Sequence, residues 1–246
     1  FKEAQKLFFG NHPYALSPIG TVNSLKSITQ SSLLSLHKKN IKNKEVLITY
    51  CGDSSLEEVI EVLSPMFDHL PPRKSQKLLF KKYKASVGNE IFIPFNREQT
   101  QIFHGIPCGK TGSPENLYLK MLTTHLSGQS SELFVEVRDR LGLCYSAQPV
   151  HFAAIEGGYF GIYMASGHDK VAAATVAIKE LLGRIKDNGL AREDFDRIKN
   201  MIKGQNLINV QTNEDFASIY SVPVLQAQGL DYYYKGNLEI ENLKHE

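Results

Sequence analysis

The stretch between residues 144 and 189 constrains the possible folds most strongly. Two β-rich runs, Cys144–Phe152 and Gly158–Ala165, are joined by a connection with two adjacent glycines, which suits an antiparallel hairpin. Both alternating sets of positions in the second run are rich in apolar residues, so the sequence predicts a strand covered on both faces. An amphipathic helical pattern follows from about Asp169, and Asn188-Gly189 past its end supplies a left-handed cap.

Further helix and strand signals surround this hairpin. The further predicted strands are Glu45–Tyr50, Ile91–Phe95 and Thr100–Ile106. Four helices are predicted over Leu56–Phe67, Ser113–Leu126, Leu133–Leu141 and around Phe195–Ile202. Three more are a short helix that ends before Gly10, a helix capped by Thr29, and a helix that is capped by Asn213 and ends before Pro223. The spacing of apolar residues in Leu56–Phe67 predicts that one face of this helix lies on a sheet. Strands that pair next to each other, with helices between the pairs, favour an α+β fold in which a largely antiparallel sheet is packed with helices.

Residues 71–88 have the prolines, serines and lysines of a connector, so we place a domain boundary there, between residues 1–70 and 89–246. The segment from Arg73 to Lys84 contains six basic residues and no acidic residue, and this composition favours a solvated linker. A nucleic-acid-binding module is the alternative for this segment, and it ranks last because no aromatic-rich surface accompanies it. The net charge of +2 gives no global attraction to nucleic acid.

Little in the sequence indicates a compartment. No apolar run approaches the roughly 20 residues needed to cross a bilayer, so no membrane partner is expected. The first residues lack the layout of a signal peptide, but the chain opens without Met inside a helical pattern, so cytoplasm and periplasm both stay open. The three cysteines stand far apart, which argues against a disulfide framework and against a structural zinc site.

The familiar catalytic motifs are incomplete in this sequence. None of the eight histidines belongs to a complete H-E-x-x-H or H-x-x-E-H pattern, so no metal site is expected in the chain. No G-x-S-x-G sequence is present, and Ser131 is interpreted as a helix cap. Gly109-Lys110-Thr111 lacks the earlier glycine of a phosphate-binding loop, which favours an ordinary strand-to-helix loop.

The segment Leu126–Ser146 carries the most information about function. It resembles the C-terminal, metal-free domain of the insulinase (pitrilysin) family of zinc peptidases, which includes the mitochondrial processing peptidase. His12-Pro13-Tyr14 to Gly20, Gly52-Asp53 and Leu70-Pro71 resemble the closing part of that family's first domain. The resemblance therefore implies that residues 1–70 close a first insulinase-type domain, and that residues 89–246 are a second, metal-free domain that stops before the family's domain would finish.

The same resemblance implies a role for two residues. In such peptidases the second domain contributes an Arg and a Tyr with six residues between them, and Arg138 and Tyr145 match this spacing. Zinc is then expected in an upstream or partner half that bears an H-x-x-E-H helix, so this chain alone should not hydrolyse peptides. The resemblance implies the substrate-binding half of a zinc metalloendopeptidase, with a peptide as substrate. A structural or assembly subunit without a peptidase role is the alternative.

The pair also makes physical sense without the family. Arg138 lies near the end of a predicted helix and Tyr145 at the start of the next strand, so Leu141-Gly142 could fold both side chains toward one spot. A guanidinium offers paired donors to a carbonyl or carboxylate, and a phenol can donate to an oxyanion. Arg140 stands at the wrong distance from Tyr145 and is predicted to be a surface charge.

Overall fold

A computed structural model describes residues 2–68 and 88–245, without the side chains of residues 42 and 43. The described residues fall into two compact units. One unit lies within Phe1–Leu16, Phe80–Leu207 and Asn237–Glu246, and the other within Ser17–Leu79 and Ile208–Gly236. The predicted connector at residues 71–88 and its basic segment lie almost entirely outside the described residues, so the division into domains at that point stays a prediction.

Helices account for most of the regular structure. In chain order they are α1 (Lys2–Phe9), α2 (Val22–Lys26), α3 (Gln30–Asn43), α4 (Leu56–Phe67), α5 (Glu115–His125), a π-helix (Leu133–Arg140), α6 (Val171–Asn188), α7 (Arg192–Ile208), α8 (Asn213–Leu225) and α9 (Tyr232–Asn242), with short 3-10 turns at Pro13–Ala15 and His168–Lys170. Among these described helices, none is long and apolar enough to span a bilayer.

The sheet belongs to the first unit and consists of β1 (Thr100–Cys108), β2 (Ser146–Ala153) and β3 (Gly158–Ser166). Its strand order is β1-β3-β2, and both pairings are antiparallel. The predicted hairpin is therefore confirmed, and so is the α+β fold class with an antiparallel sheet packed with helices.

The two faces of the sheet are covered by different elements. On one face, Ile162 and Met164 of β3 are fully buried against Ile178 of α6 and Leu133 of the π-helix. On the other face, the aromatic rings of α1 meet those of the strands: Phe8, Phe9, Phe103, Phe152 and Tyr159. Almost every residue of β3 is buried as a result, which confirms the prediction of a strand covered on both faces.

Two predicted strands are wrong. Glu45–Tyr50 and Ile91–Phe95 have no strand pairing, and their apolar side chains are largely exposed, with Phe92 at 83%. A strand forms only where a neighbouring strand accepts and donates its backbone hydrogen bonds. Among the described residues, no strand runs beside either segment, although both have the β-branched and aromatic residues typical of strands.

The second unit corrects several smaller predictions. The helix at Leu56–Phe67 is confirmed as α4. No strand of the described sheet belongs to this unit, so the packing of α4 on a sheet stays a prediction. α3 begins after Thr29 as predicted. α8 is capped by Thr212 rather than Asn213, and Pro223 lies inside it, since the helix continues for two more residues.

Candidate functional site

The predicted Arg138/Tyr145 pair lies around the π-helix of the first unit. The Ser131 hydroxyl donates to the Gly128 carbonyl oxygen at 2.8 Å and accepts from the Phe134 amide at 3.2 Å, so the predicted role of Ser131 as a helix cap is confirmed. Leu133 and Val137 bury one side of the helix in the core. A π-helix is rare and is found disproportionately at functional sites, so its position here is itself a signal.

A short turn connects the π-helix to β2 and is fixed at several points. The Leu141 amide donates to the carbonyl oxygen of Glu136 at 3.0 Å, and the Leu143 amide donates to that of Val137 at 3.0 Å. Gly142 adopts φ of +59°, a left-handed conformation that favours glycine. The turn therefore reverses the chain within a few residues of Arg138, as the sequence predicted for Leu141-Gly142.

Contacts with β3 and the following turn hold the same segment from the other side. The Ser166 hydroxyl donates to the Leu143 carbonyl oxygen at 2.6 Å, and the Lys170 ammonium donates to the Gly142 carbonyl oxygen at 2.9 Å. The Tyr145 amide donates to the Ala165 carbonyl oxygen at 2.8 Å. The backbone between the two predicted site residues is thus tied to the sheet.

Arg138 is exposed and projects from the last turn of the π-helix. Its guanidinium carbon lies 4.4 Å from the centre of the Phe134 ring. It forms no salt bridge within residues 2–68 and 88–245. Burial raises the pKa of the neighbouring Cys144 thiol, while the positive charge of Arg138 acts in the opposite direction. Arg138 therefore keeps an uncompensated positive charge close to the start of β2.

The Tyr145 side chain is 65% exposed although its backbone is bonded to β3. In the part of the chain that the structure describes, its hydroxyl has no hydrogen-bond partner. Arg138 and Tyr145 thus both present polar groups to solvent from the two ends of one fixed turn, and their convergence on a single ligand stays a prediction. Arg140 is exposed and lies 3.8 Å from Glu136, which confirms the surface charge predicted for it.

Ion pairs join the π-helix segment to α6, and the sequence does not predict them. Arg184 of α6 donates to Glu136 at 2.7 Å and to Glu132 at 3.3 Å, and Glu132 in turn lies 3.3 Å from Nε2 of the buried His125. The hydrogen bond with Glu136 is the main cause that raises the pKa of Arg184. The spacing of the two glutamates could have indicated one helix face, but Arg184 stands 48 residues after Glu136 and nothing in the sequence links them.

The structure also describes the segments that resemble a phosphate-binding loop or could hold a metal ion. Gly109-Lys110-Thr111 forms the loop between β1 and α5, as predicted. Among the described side chains, no three histidines, cysteines or carboxylates come together in a way that could hold a metal ion.

A groove of about 1070 Å³ lies within the second unit, and neither predicted site residue lines it. Its walls are formed by the unpaired segment around Val46 and Ile48 and by the apolar face of α4, including Leu63 and Phe67. The groove is mainly apolar and brings together no acid–base or nucleophilic pair. It adds nothing to the candidate site.

Comparison with known proteins identifies what the chain is similar to. The family model described as the peptidase M16 inactive domain matches residues 27–202. A curated relative named "Uncharacterized zinc protease" from Rickettsia bellii is 23% identical over 197 residues, which cover 79% of this chain and 47% of the relative. The chain spans about half the length of the curated relatives that it matches.

Solved structures agree with the fold. A crystal structure of a peptidase M16 inactive domain from Pseudomonas fluorescens matches with a TM-score of 0.80 at 19% identity, covering 99% of this chain and 58% of that one. A protease from Helicobacter pylori matches with a TM-score of 0.77 at 21% identity, and the match covers 96% of this chain and 58% of the protease chain. At these identities the likeness shows the fold alone.

Proposed function

The chain belongs to the peptidase M16 family as its inactive domain, and from this premise we propose that it is the substrate-binding half of a zinc-dependent metalloendopeptidase. The proposal assigns substrate contact to Arg138 and Tyr145. It places the zinc ion in an H-x-x-E-H-bearing half, either upstream in the same polypeptide or in a partner subunit. Zinc there would supply the activated water that hydrolysis requires.

One observation carries the proposal: Arg138 and Tyr145 are both exposed, both lack a polar partner among the described residues, and both flank a turn whose backbone is fixed. A purely structural Arg at a helix end usually pairs with a carboxylate or a carbonyl oxygen. A structural Tyr usually buries its ring. Neither residue does so here, which favours a ligand-facing role.

The chemistry of each side chain fits a peptide. The guanidinium of Arg138 offers several N–H donors in a fixed plane, and these match a peptide carbonyl or a carboxylate. Phe134 beneath it restricts the orientation of the guanidinium plane and leaves its outward edges available for a ligand.

The proposed role of Tyr145 differs from that of Arg138. A phenol hydroxyl donates one hydrogen bond, and that bond is worth most at the carbonyl oxygen that gains negative charge as water attacks. Because the Tyr145 amide is bonded to Ala165 in the sheet, its side chain starts from a fixed backbone. Arg138 would therefore bind the peptide, and Tyr145 would stabilise the transition state.

The test is peptide cleavage by this chain combined with the H-x-x-E-H-bearing half from the same source. We expect Arg138→Ala to raise KM, and Tyr145→Phe to lower kcat by about 100-fold, the usual effect of removing an oxyanion donor. Arg192→Ala and Tyr118→Phe are matched controls, because each removes the same group from an exposed side chain of the same unit.

The outcomes separate the competing functions. Activity that requires both halves and is lost in the two site variants, but not in the controls, supports the proposal. Activity of the combined halves that survives both site variants favours the structural or assembly subunit. Chelator-sensitive cleavage by this chain alone would overturn the proposal, because it would require a metal site in this half.

A further inference from the structure

The ion pairs behind the π-helix form a clamp of three residues, Arg184, Glu136 and Glu132. One nitrogen of the Arg184 guanidinium, Nη2, lies 2.7 Å from Oε2 of Glu136 and 3.3 Å from Oε2 of Glu132. Glu132 immediately precedes the π-helix and Glu136 lies in its middle. The clamp therefore connects α6 to both ends of the turn that comes just before Arg138.

The two glutamates need a positive charge between them. They are four residues apart, so their side chains lie on the same side of the helix, and like charges at this spacing destabilise a helix. Arg184 lies within 3.3 Å of both carboxylates, whereas Arg140 reaches only that of Glu136, at 3.8 Å. Without it, their repulsion would favour any change in winding that separates them.

The winding of this helix, which has the π geometry, sets the directions of its side chains. Its hydrogen bonds run between residues five apart, as in the Leu141 amide to the Glu136 carbonyl oxygen at 3.0 Å. A return to the commoner α geometry would change the direction in which every later side chain projects. Arg138 follows Glu136 by two residues, so its direction depends on the turn that the clamp holds.

We propose that Arg184 is a positioning residue for substrate binding, acting through Glu136 and Glu132 to fix the winding of the helix that presents Arg138. The inference rests on the proposed function, since it gives Arg138 a peptide to bind. It goes beyond that function because Arg184 lies on another element and contacts no ligand itself. His125 supports the clamp from its far end, through Nε2 at 3.3 Å from Glu132.

The experiment measures KM and kcat for the combined halves carrying Arg184→Gln. We expect KM to rise about fivefold with kcat changed by less than about twofold, since an exposed ion pair allows an effect of about 1 kcal/mol at 1.4 kcal/mol per tenfold. A loss of folded protein would instead lower the apparent kcat and leave KM unchanged. Arg184→Lys keeps a charge that can reach the carboxylates and should restore most of the lost affinity.

A second measurement reports on the helix itself. Amide hydrogen exchange at Leu141 and Leu143 should become faster in Arg184→Gln, because their bonds to Glu136 and Val137 close the end of the π-helix. The matched control is Arg192→Gln, which breaks a pair of similar length, 2.9 Å to Asp196, on α7. It should change neither KM nor the exchange of these two amides.

The results distinguish the two proposals. If Arg138→Ala raises KM but Arg184→Gln leaves KM unchanged or lowers only kcat, the positioning role is overturned and the proposed function stands. If Arg138→Ala leaves KM unchanged, the proposed function fails, and the positioning role is overturned with it. Faster exchange together with a higher KM in Arg184→Gln, both reversed in Arg184→Lys, supports the inference.

Discussion

The guanidinium carbon of Arg138 lies 4.4 Å from the centre of the Phe134 ring, four residues earlier in the π-helix. A cation above an aromatic face is attracted by the electrons of the ring, and the contact limits the directions that the side chain can take. Because the ring is neutral, it orients the guanidinium without cancelling its charge. A carboxylate partner would orient it equally well but would occupy the donors that a ligand needs.

The contact between Phe134 and Arg138 should be measurable as a coupling between two substitutions. We expect Phe134→Leu and Arg138→Gln to show a coupling free energy of about 0.5–1 kcal/mol in a double-mutant cycle, the range for a cation–π contact at an exposed site. Urea unfolding of the four proteins measures it. A coupling of zero within error would mean that the stacking contributes nothing to stability.

Gly161 of β3 faces Gly105 of β1 in the sheet, and the space beside it is filled. A Cβ atom at Gly161 would lie 2.7 Å from the His104 carbonyl oxygen, which is backbone and has little room to move. We expect Gly161→Ala to lower the free energy of unfolding by about 1–3 kcal/mol. The control is Gly183→Ala in α6, where a Cβ meets nothing within 4 Å, and where alanine should stabilise the helix by up to about 1 kcal/mol.

The elements that the sequence predicted well are those with a local cause. The hairpin of β2 and β3 follows from alternation and from the glycines between the strands, and α6 follows from its apolar periodicity and Gly189. Glu45–Tyr50 shows the limit of such reasoning. Its residues favour a strand, but a strand also needs a pairing partner, and local composition does not show whether one is present.

The candidate site could likewise be predicted only in part from the sequence. The spacing of Arg138 and Tyr145, together with the family resemblance, predicts both as site residues, and the sequence also predicts the turn at Gly142. The π geometry and the contact of Arg184 with Glu136 could not be predicted. The first depends on how the helix packs in the core, and the second joins residues 48 positions apart.

Tyr14 gives the first unit a predictable response to alkaline pH. Burial, and next its hydrogen bond to Glu156, raises the pKa of Tyr14 from 10.0 to about 12. The folded state therefore favours the protonated phenol, and this contribution to stability is complete below pH 10 and is lost as the pH rises toward about 12.

We expect the urea midpoint of the wild-type chain to fall more between about pH 9 and about pH 11 than that of Tyr14→Phe, which has no proton to lose at this position. Tyr118→Phe removes an exposed phenol and should keep the wild-type decline. An equal decline in the wild type and in Tyr14→Phe would show that Tyr14 does not contribute to the pH dependence.

The fully buried hydroxyl of Ser166 should matter to the turn between Arg138 and Tyr145, because it donates to the Leu143 carbonyl oxygen at 2.6 Å. In Ser166→Ala this carbonyl loses that donor, so we expect the free energy of unfolding to fall by about 1–3 kcal/mol. Ser127→Ala removes an exposed hydroxyl that donates over the same 2.6 Å, and water can replace it, so its effect should stay within about 0.5 kcal/mol. Urea unfolding compares the two variants, and equal losses would show that burial does not set the value of the Ser166 bond. If Ser166→Ala also speeds hydrogen exchange at the Tyr145 amide, the hydroxyl holds the segment that presents Tyr145 as well as the core beneath it.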